Sequence, residues 1–321
     1  MLGCIALAIF LFTTGSFELA TGVDLFQYKG AELVREGERR VNGPFLSDSS
    51  FAIICLLLFL ILQAAPRLIT LRFDRSGKLI YFVAAVCGGL GALLSAFRVV
   101  AMAVFICWIG QIWLEHRAMG KMFWKSDRVR RRLSLALVIG MILALFGGWF
   151  VLRAAPALGA RLIDPRSAFG RLATWQGASQ IAIENPVLGA GLGNYADYYD
   201  QTHYYSDEDP EEVFGTKAAN SPHSNLLWIA SELGFSGLVL YIAANVFLFL
   251  IGWRALKAAA DRQQAVASSC FLALVLAYWI SGLTLASGYY SDLNLCLLFL
   301  LGVLSGQFRK RIHPRSVPNH I

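Results

Sequence analysis

Long uncharged apolar blocks, separated by clusters of Lys and Arg, leave this chain few ways to fold. A helix needs about 20 apolar residues to cross the hydrocarbon core of a bilayer. On that basis the sequence offers eight candidate spans, at about 2–22, 49–66, 78–97, 98–115, 133–152, 224–252, 269–287 and 292–307. Charged residues make up only 15% of the chain, against about 25% in soluble domains. Mean hydropathy is +0.56. Together these values exclude a solvated globule.

Charge placement sets the orientation. The net charge is +7, and eighteen of the 28 Lys and Arg residues fall in 67–78, 117–132, 254–262 and 309–315. If the spans alternate, all four clusters face one side, which the positive-inside rule makes cytoplasmic. Loops 23–48, 153–222 and 286–291 then face outward. The expected fold is all-α, a polytopic transmembrane bundle of about eight spans with one long helical loop on the outer face. Residues 1–152 form five N-terminal spans, 153–222 the loop, and 223–321 three more spans with a basic tail. In this frame Arg128, Arg130, Arg131 and Arg132 anchor topology, and no nucleic acid is expected as partner. Six cysteines stand singly inside apolar segments, without metal or redox spacing. The first span opens at Met1 with no charged flank, as in a fragment or a chain whose true start lies upstream.

The outward loop carries the polar signals. Residues 167–184 read as a helix with Phe169, Leu172, Trp175 and Ile181 along one face, ended by Asn185-Pro186. Gly189, Gly191 and Gly193 follow. They lack the spacing and the preceding strand of a dinucleotide site, so a tight loop is expected. Five tyrosines come next (Tyr195, Tyr198, Tyr199, Tyr204, Tyr205), suited to stacking on sugars or to a membrane interface. The acidic run 207–212 reads as solvated charge. His223 opens the sixth span. Gly234, eleven positions on, lies on nearly the same face and about 16 Å deeper in a continuous helix. From spacing alone His223 is a general base or an interfacial histidine. Arg98 is a site residue or a snorkelling boundary charge, and Arg171 a site residue or a surface arginine.

Taken in order, three stretches resemble a known signature. They are Gly170-Arg171-x-x-x-Trp175, then Glu184-Asn185-Pro186-x-Leu188-Gly189-x-Gly191-x-Gly193-Asn194, then His223-Ser224-Asn225 running to Glu232-Leu233-Gly234. They look like the O-antigen ligase and polymerase family. Arg98, in Leu94-Ser95-Ala96-Phe97-Arg98, resembles that family's Ser-x-Arg element, and Arg40-Val41-Asn42-Gly43-Pro44-Phe45 its loop before a span. Members usually carry about a dozen spans, so the resemblance implies that roughly four precede this chain's first.

The resemblance implies a bacterial inner-membrane glycosyltransferase with its active face in the periplasm. Its donor would be an undecaprenyl-diphosphate-linked glycan, and its acceptor a lipid A-core or another glycan, met at membrane lipid without cofactor or metal. His223 would be the base, Arg171 and Arg98 would hold the diphosphate, and Gly189, Gly191, Gly193 and Gly234 would be structural. Trp175 stands where ligases usually have Leu, which keeps a polymerase of O-antigen or exopolysaccharide as an alternative. A transporter of lipid-linked glycan is a third reading, with Glu232 as its intramembrane ionisable residue.

The orientation is directly testable. Ser206→Cys should react with an impermeant thiol reagent on intact spheroplasts, whereas Ser126→Cys should react only after lysis. Labelling at position 126 without lysis would invert the bundle.

Overall fold

In the computed structural model, residues 1–21, 23, 25–26, 41–45, 47–69, 75–95, 97–119, 166–201, 221–285 and 291–309 are described. Among them every regular element is a helix. In chain order these are α1 (Leu2–Thr21), α2 (Asp48–Leu68), α3 (Arg75–Leu94), α4 (Arg98–Ala118), α5 (Arg166–Glu184), α6 (Tyr195–Gln201), α7 (Asn225–Lys257), α8 (Arg262–Gly282) and α9 (Ser291–Arg309). Six carry a run long and apolar enough to cross a membrane: α1, α2, α3, α4, α7 and α8. The eighth expected span corresponds to α9, whose apolar run, Leu293–Gly306, is shorter. The fifth, at 133–152, lies outside the described residues, as do the acidic run 207–212, Tyr204 and Tyr205.

The all-α membrane bundle is therefore as the composition requires. Several boundaries differ, the start of the seventh span most. The seventh span starts at Arg262, not near 269, because Asp261 caps it by accepting from the Gln264 N–H at 2.8 Å. The polar turn Arg262-Gln263-Gln264 reads as loop in the sequence. In the fold it is helix, and its polarity serves contacts with neighbouring helices.

Helix α2 is the hub, buried on nearly every face and packed against α3, α4 and α8. Small residues bring α3 close to it. A Cβ on Gly88 would lie 3.1 Å from the Phe59 nitrogen and 3.2 Å from the Cys55 carbonyl oxygen. Close backbone approach of this kind drives helix association in lipid, where burial of apolar surface adds little. Outward faces remain apolar, as at Leu79, Ile80 and Phe82 of α3 and Met102 and Ile106 of α4.

A polar network ties three helix ends together. Arg67 donates to the Glu115 carboxylate and, at 2.8 Å, to Gln63 Oε1. Gln63 Nε2 donates to Gln111 Oε1 at 2.7 Å. Arg262 Nε lies 3.7 Å from the same Glu115, and the Gln263 amide donates to the Leu68 carbonyl. The C-terminal ends of α2 and α4 and the N-terminal end of α8 thus meet at one end of the bundle, hereafter the basic end. These are flanks of three of the four basic clusters, as alternating spans require. At the far end, Glu18 of α1 accepts from the N–H groups of Asn42 at 3.1 Å and Gly43 at 3.0 Å, fixing the turn into α2.

Glu115 is nearly buried and Arg67 mostly so, whereas Arg262 is half exposed. Removing one partner of a buried pair leaves the other uncompensated. Glu115→Ala should therefore destabilise the bundle by about 3 kcal/mol, and Arg262→Ala by under about 1 kcal/mol. Thermal unfolding in detergent, read side by side for the two variants, checks the order.

Candidate functional site

The sequence reads 224–252 as one spanning helix, and the structure corrects this. Gly234 has φ 66° and ψ −170°, which breaks α7 into 225–233 and 235–257. The first piece folds back against the second. Asn225 Nδ2 donates to the Tyr241 hydroxyl at 3.3 Å, although sixteen residues of continuous helix would separate them by about 24 Å. Gly234 is therefore the apex of a helical hairpin. It does not lie below His223 on a common face, and the expected 16 Å descent from one to the other does not occur. Asn225 returns to the level of Tyr241, seven residues past the apex, where a Cβ on Gly282 of α8 would strike it.

A break of this kind frees backbone groups, and the glycine loop takes them up. The N–H groups of Ala190 and Gly191 donate to the carbonyls of Ser231 at 2.8 Å and Glu232 at 2.9 Å. From the other side, Phe235 N–H donates to the Pro186 carbonyl at 2.7 Å, and Ser236 Oγ to the Val187 carbonyl at 2.6 Å. Gly189, Gly191 and Gly193 all have positive φ, as a tight loop requires. Two glycines are also needed for space. A Cβ on Gly189 would sit 2.3 Å from the Glu232 carbonyl carbon, and one on Gly234 would sit 2.5 Å from the Val187 carbonyl.

Glu232 completes the clasp. Its side chain is almost wholly buried and accepts from Gly193 N–H at 2.9 Å, Tyr195 N–H at 3.2 Å and Trp228 Nε1 at 2.8 Å. The sequence offered Glu232 as an intramembrane ionisable residue. It stands beside the hairpin apex with its oxygens occupied by protein donors.

Arg171 is carried by α5, which packs on α6 and α7. The face that α5 buries is Thr174, Ala178 and Ile181, spaced at helical intervals. Leu172, expected on that face, is exposed. Tyr195 and Tyr199 close this small core, with Leu227 and Trp228 of the hairpin packed against it. Tyr195 links the parts: its N–H meets Glu232, and its hydroxyl donates to the Thr174 carbonyl at 3.3 Å. Thr174 in turn bonds back to the Arg171 carbonyl at 3.0 Å. The indole N–H of Trp175 is buried with no hydrogen-bond partner among the described residues.

His223 stands two residues before α7, exposed, with its N–H toward Ser221 Oγ at 3.4 Å. Its φ of 49° is the one positive value at a non-glycine residue among those described. Such a conformation costs about 1–3 kcal/mol and gathers at functional sites. His223 and Arg171 thus belong to elements joined by one small core. Arg98 opens α4 across a three-residue turn from α3, and α4 packs mainly on α8 and α2. The structure therefore brings the glycines, Arg171 and His223 onto one packed unit and leaves Arg98 on another. Sequence reasoning quoted Asn225 and Tyr195 without a part in this joint, did not single out Trp228, and offered Glu232 only as an intramembrane ionisable residue, not as the acceptor that holds the loop. The signal available was a Glu one residue before a Leu-Gly pair, preceded four positions earlier by Trp.

A family model described as O-antigen ligase matches residues 80–242, just over half of the chain. That span includes Arg98, Arg171, the glycine loop, His223 and Gly234. None of the curated proteins compared with the chain matches it.

The clasp predicts a ranking. Glu232→Gln keeps the shape but loses an acceptor and turns an amide toward backbone donors. It should cost about 2 kcal/mol. Ser236→Ala removes one exposed bond and should cost under about 1 kcal/mol. Gly234→Ala should be at least as damaging as Glu232→Gln, because strain and contact combine. Proteolytic cutting within 185–194, with thermal unfolding, measures the order, and equal behaviour of Glu232→Gln and Ser236→Ala would show that the carboxylate does not hold the loop.

Proposed function

The chain belongs to the O-antigen ligase family, and we propose that it transfers glycan from an undecaprenyl-diphosphate-linked donor to a lipid A-core or similar acceptor at the periplasmic face of the inner membrane. The observation that carries this reading is the clasp, which ties the helix bearing Arg171 to the hairpin that His223 precedes. Outside the cytoplasm nucleotide sugars are not supplied, so a donor must arrive already attached to lipid. The acceptor hydroxyl attacks the anomeric carbon and its proton passes to His223. The bond from that carbon to the diphosphate breaks, and the diphosphate leaves with the bonding pair.

Each residue type suits its task. Arginine stays protonated and its planar fork binds phosphate oxygens in pairs. A fixed donor at developing charge is typically worth about 2.7–4 kcal/mol, and this is the role of Arg171, with Arg98 as a second contact. A positioned base contributes about 10²–10⁴ in rate. Nothing in these steps requires a metal ion, since charge on the leaving group is met by guanidinium.

Polymerisation, with a second lipid-linked repeat unit as acceptor, uses the same donor chemistry and is the alternative that Trp175 favours. A transporter reading has less support. Its candidate, Glu232, accepts from Gly193, Tyr195 and Trp228, which suits a fixed joint better than a residue that takes up and releases an ion.

The site is tested by transfer from a synthetic lipid-diphosphate glycan, using the full-length gene product with folding verified. His223→Ala should lower turnover by about 10²-fold or more with donor binding nearly intact. Arg171→Lys should fail almost as badly as Arg171→Ala, because lysine keeps the charge and loses the fork. Recovery by Lys to within a few-fold of wild type would reduce Arg171 to a source of positive potential.

A further inference from the structure

The glycine loop carries a feature that its role as a clasp does not explain. Val187, Leu188 and Leu192 point away from the fold and are 67%, 75% and 70% exposed. A loop needing only turn residues and backbone bonds has no use for three large apolar side chains in water. Apolar side chains gathered on one exposed surface mark an interaction site.

Their height along the bundle identifies what they meet. Arg254 lies in the last turn of α7 at the basic end. Twenty residues separate it from Gly234, which at 1.5 Å per residue is about 30 Å, the thickness of the hydrocarbon core. The hairpin apex therefore stands at the opposite hydrocarbon boundary. The loop is bonded to that apex on both sides, through Ser231 and Glu232 and through Phe235 and Ser236. Val187 in particular is held beside Ser236, on the spanning side of the break. Beside and beyond that bond, Phe235, Val239 and Leu240 of the spanning helix itself are exposed by 48%, 64% and 71%. Those residues face lipid by the length and composition of the span.

We propose that residues 187–192 form a membrane-seated element, with Val187, Leu188 and Leu192 immersed among phospholipid acyl chains at the boundary away from the basic end. The main chain of the loop is bonded to the hairpin at Val187, Ala190 and Gly191, and its remaining polar groups stay at the boundary, within reach of water and headgroups, as the bilayer demands. The partner is the bilayer and not a second protein, because the loop is bonded to the first turn of an apolar span at the level of the hydrocarbon boundary. This inference stands on the fold and is independent of the donor chemistry.

The test places a nitroxide at Leu188→Cys and Leu192→Cys, with Asp197→Cys as reference, in the full chain with its six native cysteines replaced by alanine and reconstituted in phosphatidylglycerol–phosphatidylethanolamine vesicles. At 188 and 192, collision with lipid-soluble oxygen should exceed collision with a water-soluble nickel chelate several-fold, and the order should reverse at 197. Greater access of the chelate at 188 and 192 overturns the proposal. So does low access of both reagents there, which would mean that protein covers the loop. Should the cysteine-free chain not fold, Leu188→Trp in the native background replaces it. Its added fluorescence should be quenched several-fold more by lipids brominated high on the acyl chain than by aqueous iodide, and the opposite order rejects the proposal.

Discussion

Backbone groups released where a helix stops at the edge of the hydrocarbon have to be satisfied by the protein. At Gly234 that requirement is met by a second segment, residues 186–193, laid across the break so that each side supplies what the other lacks. Carbonyls of Ser231 and Glu232 receive N–H groups of the loop, and carbonyls of Pro186 and Val187 receive donors from Phe235 and Ser236. Neither segment is stable as drawn without the other. The glycines follow from this pairing, because main chains that approach to bonding distance leave no room for a Cβ at 189 or 234. The Glu232 carboxylate adds three more bonds of the charge-assisted kind, each stronger than a neutral one. Two of the residues proposed for the site hang from this joint: Arg171 on α5 through Tyr195, and His223 through the short piece of α7.

The two ends of the bundle are held by different chemistry. At the basic end, charged and amide side chains from α2, α4 and α8 meet around Glu115. At the far end the principal ties run between main chain and a single buried carboxylate, at Glu18 and again at Glu232. Long side chains adapt, whereas main-chain bonds to a fixed oxygen specify position closely. The residues proposed for the reaction would lie at the far end, where these stiffer joints are. The hub α2 connects the two, and its close contact with α3 at Gly88 leaves little freedom for one end to shift against the other.

Much of this was legible because it depends on composition and period. Span positions follow from apolar length, and the meeting of three basic flanks at one end from where the lysines and arginines fall. The tight loop at Gly189, Gly191 and Gly193 was readable from the glycines and from Asn185-Pro186 before them. What stayed hidden depends on pairing between distant segments. A Gly inside an apolar run looks the same whether it packs against a helix or ends one, and only the partner, thirty-nine residues from Glu232 at Gly193, decides. The face of α5 was misread for a related reason. Leu172 is the more apolar residue, but Thr174 can bury its hydroxyl on the Arg171 carbonyl and its own carbonyl under Tyr195, so the polar position went inside. Arg262 was read as loop because its charge serves Glu115, which no local pattern reveals.

The hairpin also changes how His223 should be understood. In an unbroken helix His223 would sit at the lip of a span with Gly234 beneath it, a surface residue above a packing contact. With the helix folded at Gly234, the segment after His223 runs outward to the apex while the spanning segment runs inward from it. His223 therefore enters near the level of Tyr241 and not above the apex, on a backbone held at positive φ. Histidine tolerates that conformation better than most side chains, but the strain persists only where neighbours fix the chain on both sides. Downstream the fixing is plain: Ser224 begins the helix, and Asn225 is buried between Tyr241 and Gly282. The role proposed for His223, a base whose ring has to meet an incoming hydroxyl, would give a reason for it to be held this way.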